Sequence, residues 1–299
     1  SSAASDVYKR QFLFIVDEFK KTEIAYEAKI FALRTYSEKN DFLACEGVIT
    51  ELNKKRTLNK KTKLLKHSSI ADCYLKQQNY SLATDELKEC IKLSNKKQAS
   101  RFKYILAQVY QKVGNQKNAY ELFEDVIRES SDYEMTFNAK MNLAKSAIQT
   151  GINVTKSKEV LKKMLKDDKN KEYLDQIYFT ISEIEIAEMD TIACVNSLLN
   201  STKYSLENDV QKSLSFYNLA KIYYSKQEYR KACLYYDSTI FYIDKNDEKY
   251  AEIFETSQSL NKLINNLDIV YLQDSLIALS TLPKNIQLEV VNEIINNII

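Results

Sequence analysis

The chain has 299 residues, of which only 3 are Gly and 1 is Pro; strand-and-turn folds need those residues at most of their corners, so the composition points to an all-α chain. Hydrophobic residues at 44% are enough for a continuous core, and charged residues at 28% keep the exterior wetted. The 43 Lys and Arg nearly cancel the 41 Asp and Glu and are interspersed with them, which excludes the basic stripe that nucleic-acid binding demands, and no run of about 18 uncharged apolar residues offers a transmembrane helix.

In chain order, residues 1–11 (SSAASDVYKRQ) lack an initiator Met and resemble a translated adaptor or assembly scar, so they are set aside from the fold. From residue 12 to 245 one pattern recurs. A weak copy runs through Leu33, Tyr36, Phe42, Cys45 and Ile49. The cationic stretch from Lys54 to Lys66 follows, read as a solvated loop and helix start. Clear copies come at Ala71, Tyr74, Ala83 and Leu87 and at Ala107, Tyr110, Ala119 and Phe123. Two weaker copies pass through Leu143, Ala144, Gly151, Leu161 and Met164 and through Ile181, Ser182, Cys194 and Leu198. The sixth is clear again at Ala220, Tyr223, Ala232 and Tyr236. Short polar turns at 77–79, 114–116 and 226–228 separate the halves of the clear copies, and an extra residue is expected around 153–157. Residues 246–299 leave the pattern: a solvating helix over 250–266, then one or two helices read as a cap on the last repeat, with an independent functional element as the alternative, that stop without a C-cap, so both termini are expected to be truncated.

The spacing has a mechanical cause. Two antiparallel helices approach closely only where both carry a small side chain, and a large residue one turn later fills the space beside that contact. The small positions 33, 71, 107, 144, 182 and 220 advance in steps of 36 to 38. This resembles the tetratricopeptide repeat (TPR), whose common period is about 34, with the additional residues expected in the loops between repeats. The fold expected is an all-α, TPR-like α-solenoid of about six helix-turn-helix repeats with a C-terminal helical cap.

Little in the sequence carries chemistry. The single His67 has no partner suggested by spacing, and Cys45, Cys73, Cys90, Cys194 and Cys233 form no CxxC pair or metal-ligand spacing; they read as small buried hydrophobes, with one bridge left open. Asp167–Asp168 and Glu183–Glu185 lack the context of a glycosidase, and Gly47, Gly114 and Gly151 cannot build a phosphate-cradling loop. No enzyme, cofactor or metal site is expected.

A TPR array binds on the concave face lined by its first helices. Counted from the anchors, that protein-binding groove comprises Arg101, Tyr104, Gln108, Asn138, Met141, Asn142, Lys145, Phe179, Tyr217, Asn218, Lys221 and Tyr224, a mixture of aromatic, amide and cationic groups suited to a peptide or protein, with packing between helices as the alternative role. A co-chaperone clamp for a partner's terminal carboxylate would need Lys, Asn and Arg on consecutive first helices, where the first clear repeat has Ser68, Ser69 and Asp72.

The segments FNAKMNLA, LKDDKNKEYLDQIYF and LQDSL, which a generic TPR consensus does not require, resemble the periplasmic TPR lipoproteins of the Bacteroidota type IX secretion and gliding-motility system, the PorW or SprE type. The resemblance runs from about Phe12 onward. It implies a non-catalytic scaffold in the periplasm, anchored to the outer membrane by a lipid carried outside this sequence, with secretion-machine or cargo-related proteins as partners and no nucleic acid. A cytoplasmic TPR adaptor or co-chaperone, or the regulatory arm of an enzyme lying outside these residues, are the other readings.

Overall fold

A computed structural model describes residues 2–54 and 57–298. Lys55 and Arg56 of the cationic stretch, with Ser1 and Ile299 at the ends, lie outside the described residues. The described chain contains α1 (Ser2–Glu18), α2 (Glu23–Glu38), α3 (Phe42–Lys54), α4 (Lys60–Lys76), α5 (Tyr80–Leu93), α6 (Lys96–Lys112), α7 (Gln116–Glu129), α8 (Tyr133–Thr150) and α9 (Val154–Met164). After a 3-10 turn (Asp168–Tyr173) come α10 (Leu174–Ala187), α11 (Thr191–Tyr204), α12 (Asp209–Ser225), α13 (Tyr229–Tyr242), α14 (Tyr250–Ser280) and α15 (Lys284–Ile298), with no strand among the described residues. Two compact units, 1–163 and 164–299, divide the chain.

The expected TPR-like solenoid is what the helices build: α2/α3, α4/α5, α6/α7, α8/α9, α10/α11 and α12/α13 are the six helix-turn-helix repeats. The turn inside a repeat has one grammar. It is three residues long at 39–41, 77–79, 113–115, 151–153, 188–190 and 226–228. In each, the residue seven places after the small anchor takes the left-handed conformation: Asn40, Gln78, Gly114, Gly151, Met189 and Gln227. That residue stops the first helix and reverses the chain. In four of the six, the next residue is Asp41, Asn79, Asn115 or Asp190, whose side chain accepts the N–H of Ala44, Leu82, Asn118 or Ala193 and starts the second helix.

The fourth repeat carries the expected extra residue, placed at 152–153. Two residues follow Gly151 there, Asn153 is itself left-handed, and its amide turns to the Tyr120 hydroxyl at 3.1 Å. The second helix is thereby shifted by one, so its small buried residue is Ser157, which the apolar pattern alone did not reveal, followed by Leu161 one turn on.

Close nesting follows from these anchors. Ala71, Ala83, Ala107, Ala119, Ala144, Ala220 and Ala232 are all buried, and Phe123 fills the space beside Ala107 and Ala119 together with Tyr120, Val126 and Ala139. The residues beyond the common period are not confined to the connections between repeats. The first helices α4, α6 and α12 are 17 residues long, while α5 and α6 are joined by 94–95 alone.

Residues set aside as a scar run without a break into α1, whose Phe12 stacks on Phe31 of α2 at 5.5 Å. At the other end the two elements expected across 250–283 are one helix, because no Gly, Pro or cap interrupts α14 before Thr281. The first half of α14 caps the last repeat: Ile253, Ser257 and Leu260 are buried with Tyr236 and Ala232, Ile264 packs half-buried beside them and Asp268 pairs with Arg230, whereas Ile269, Leu272 and Leu276 are exposed. No described helix is long and apolar enough to cross a membrane.

Candidate protein-binding surface

In the unit 1–163, the expected groove residues sit on α6 and α8. Tyr104 leans edge-on over Phe123 at 5.8 Å and keeps its hydroxyl at the surface. There it accepts from Gln108 Nε2 of its own helix and Asn142 Nδ2 of the next first helix, each at 3.4 Å. Burial raises the Tyr104 hydroxyl above its ordinary value, and the Asn142 bond opposes that rise. Asn138 and Asn142 donate to carbonyls one turn back, Glu134 and Asn138, at 3.0 Å. Arg101 and Lys145 on the same two helices are exposed.

Met141 is a correction. It is buried, because Phe137, Met141 and Ala144 recur at helical spacing along the core stripe of α8. A polar seam went unread in the sequence: Gln111 Nε2 donates to the Asn142 carbonyl at 3.1 Å and to Ser146 Oγ at 2.9 Å, and buried Ser146 donates to Gln116. A Gln four residues after the small anchor, opposite a Ser two after the next, was the signal available.

In the unit 164–299, Tyr217, Lys221 and Tyr224 line one face of α12. Lys221 Nζ lies 5.5 Å from the centre of the Tyr217 ring, a cation–π contact at an exposed site. Tyr217 meets Tyr236 edge-to-face at 6.3 Å, and the exposed Tyr224 meets Tyr229 at 5.9 Å, so both rings are held by neighbours. Asn218 donates to the Leu214 carbonyl. Phe179 on α10 is half-buried against Cys194, Leu198 and Leu219, which makes it as much a packing residue as a surface one. The structure thus joins Tyr104, Gln108, Asn138 and Asn142 into one surface patch and Tyr217, Lys221 and Tyr224 into another.

The remaining residues with chemical potential are in structural use. His67 Nδ1 meets Glu86 Oε2 at 2.6 Å, tying α4 to α5. All five cysteines are buried and free. Burial, with the Cys73 thiol beside it, pushes Cys45 up to about 12; burial likewise pushes Cys90 to about 12 and Cys194 to about 11. Thiols held protonated in this way are poor nucleophiles. Asp167 caps the 3-10 turn, Asp168 pairs with Lys171, and buried Glu185 accepts from Ser197 Oγ at 2.6 Å. At the clamp positions Ser69 is buried and accepts from Arg34 Nε at 2.7 Å, while Asp72 pairs with Lys76. Among the described residues no group of three His, Cys, Asp or Glu side chains is placed to hold a metal ion.

Comparison with known proteins agrees with the architecture. The tetratricopeptide repeat family model matches residues 215–249, which hold most of α12 and all of α13. No curated protein matches the chain. Among solved structures it is similar to the apo form of RapI (TM-score 0.64, 12% identity, 98% of this chain and 92% of that one). It is also similar to the apo form of the quorum sensor NprR from B. thuringiensis (TM-score 0.58, 15% identity, 84% and 79%). A third, YrrB, described as a TPR protein with an unusual peptide-binding site, aligns with a TM-score of 0.50 at 13% identity over 67% of this chain and 95% of that one. At these identities the likeness concerns the fold alone, and the fold is a TPR-like α-solenoid.

Proposed function

We propose that the chain is a non-catalytic scaffold that holds other proteins on the exposed faces of its first helices. The observation carrying this reading is that side chains suited to gripping a peptide stand on those faces already positioned by their neighbours: Tyr104 between two amides, and Lys221 over Tyr217 beside Tyr224. Aromatic anchors that lose little freedom on binding are what hot spots are made of. The peptide-binding site named for YrrB supports the same use of the fold. We further propose, from the resemblance to the PorW or SprE type, that the scaffold serves type IX secretion and gliding motility in the periplasm, tethered to the outer membrane by a lipid attached outside this sequence.

Charge reversal at both Lys145 and Lys221 tests the binding faces. In cross-linking capture from the native cell, the double variant should lose the partners held by the unaltered chain while its far-UV circular dichroism is unchanged. Identical partners for both proteins would refute the placement of the surface. Fractionation checks the compartment separately: recovery with the cytosol instead of the outer membrane removes the secretion reading and leaves the scaffold reading standing.

A further inference from the structure

The five buried thiols stand on five different helices, α3, α4, α5, α11 and α13, and two of them meet. Cys45 on α3 and Cys73 on α4 belong to one core cluster, neither has exposed surface, and their thiols are in hydrogen-bonding contact. The other three have different neighbours. Cys90 lies near Glu86 and Glu89, Cys194 near Glu185 and Asp190, and Cys233 reaches the Ser257 carbonyl at 3.9 Å.

The meeting follows from the repeat. Cys45 is the small anchor of the second helix in the first repeat, and Cys73 comes two residues after Ala71, the small anchor of the next first helix. The equivalent places further on hold Ala83 with Val109, Ala119 with Ser146 and Cys194 with Ile222, so of these junctions the first alone sets two thiols there. Gln77 Nε2 donates to Cys73 Sγ at 3.4 Å, and Cys45 Sγ lies 3.9 Å from the Leu33 carbonyl. Each sulfur thus has one polar neighbour from its own repeat and the other sulfur across the junction.

This junction also differs in how its helices are joined. The connection 55–59 is the longest between repeats in the unit 1–163, and α3 meets α4 along less of its length than α5 meets α6 or α7 meets α8. A covalent link from 45 to 73 spans that connection and closes a loop of about 28 residues, long enough to constrain the unfolded chain appreciably.

We propose that Cys45 and Cys73 form a disulfide when the chain folds in the presence of a disulfide oxidant, stapling the first repeat to the second. With oxidised glutathione as the oxidant, one protein thiolate attacks the reagent and releases one glutathione thiol. The second protein thiol then attacks the mixed disulfide and releases the other. One reagent disulfide is broken and one protein disulfide is made, and the two protons leaving Cys45 and Cys73 pass to the two released thiols. Since neither sulfur is exposed, exchange requires α3 to part from α4; the bond forms as the repeats close and is shielded afterwards. The periplasm proposed above is a compartment that supplies such disulfides. The capacity itself belongs to the fold and is tested without regard to compartment.

The full chain is refolded from urea at about pH 8 in oxidised and reduced glutathione, then denatured, alkylated and mapped by mass spectrometry. Three of the five cysteines should be alkylated, with one pair of peptides linked through Cys45 and Cys73. The thermal midpoint should lie roughly 5–10 °C above that of the same chain kept reduced. Cys45→Ala and Cys73→Ala should each abolish both the link and the shift, whereas Cys194→Ala should retain both. Five alkylated cysteines after oxidative refolding, glutathione left on Cys45 or Cys73, or a link between any other pair overturns the proposal. A Cys45–Cys73 link that leaves the midpoint unchanged or lowers it overturns the staple as well, because the bond then strains the junction it was to hold.

Discussion

The turn inside each repeat and the connection between repeats solve the same geometrical problem in different ways. Inside, three residues suffice six times over, with a left-handed residue second in five of them and in four an Asp or Asn third that caps the next helix. Between repeats the chain uses 94–95 in one place, 130–132 in another, and a stretch with its own 3-10 turn in a third. Local backbone chemistry fixes the angle within a pair, whereas side-chain nesting fixes the angle between pairs and leaves the connecting chain free to vary.

If that division is right, the largest losses come from the nest. Phe123→Ala should cost about 3–5 kcal/mol in urea unfolding, since the cavity forms among Ala107, Ala119 and Val126, which cannot collapse into it. Next comes alkaline pH. Cys45 and Cys194 occupy the small position of their helices, with thiols pushed up to about 12 and about 11 from an ordinary 9.0. The unfolded thiols ionise first, so stability is complete below about pH 9 and falls as pH rises toward the folded values, on the order of 1 kcal/mol per thiol per pH unit. A Cys45→Ala and Cys194→Ala variant should flatten that decline in unfolding curves recorded at pH 8 to 10.5.

Turn chemistry should give smaller effects, and of either sign. Asn115→Ala removes the bond to the Asn118 N–H and should cost about 1 kcal/mol, whereas Glu228, at the same position without a capping bond, should gain stability when replaced by Asn. Met189 is exposed and left-handed, so Met189→Gly should raise stability by roughly 0.5–1 kcal/mol in the same assay. Least of all, doubling the connection 243–249 with Gly and Ser should cost about 0.6 kcal/mol. A larger loss there would mean the connection shapes the stack after all.

Much of this was legible in the sequence, for reasons the particular residues make clear. Ala71 with Tyr74, Ala107 with Tyr110 and Ala220 with Tyr223 announce the repeat because close approach tolerates few side chains. The turn grammar was equally present in Asp41, Asn79, Asn115 and Asp190, but it lies in polar residues, and a search along apolar anchors passes over it. Ser157 was hidden by the one-residue shift after Gly151. Met141 was misplaced because the boundary between groove and core on α8 depends on a helix rotation of a fraction of a turn. The partner of His67 lies on the following helix, at Glu86, where only the folded pair brings the two together.

The left-handed turn, recurring seven residues past each anchor, also bears on how the molecule would carry load. A pair closed by its own backbone needs nothing from its neighbours to reverse the chain, and contacts in such a stack reach only the adjoining pair. Tension applied at the two ends of a run of repeats would therefore be relieved in instalments, one pair giving way while those on either side kept their form. Such a chain behaves as a spring with discrete detents.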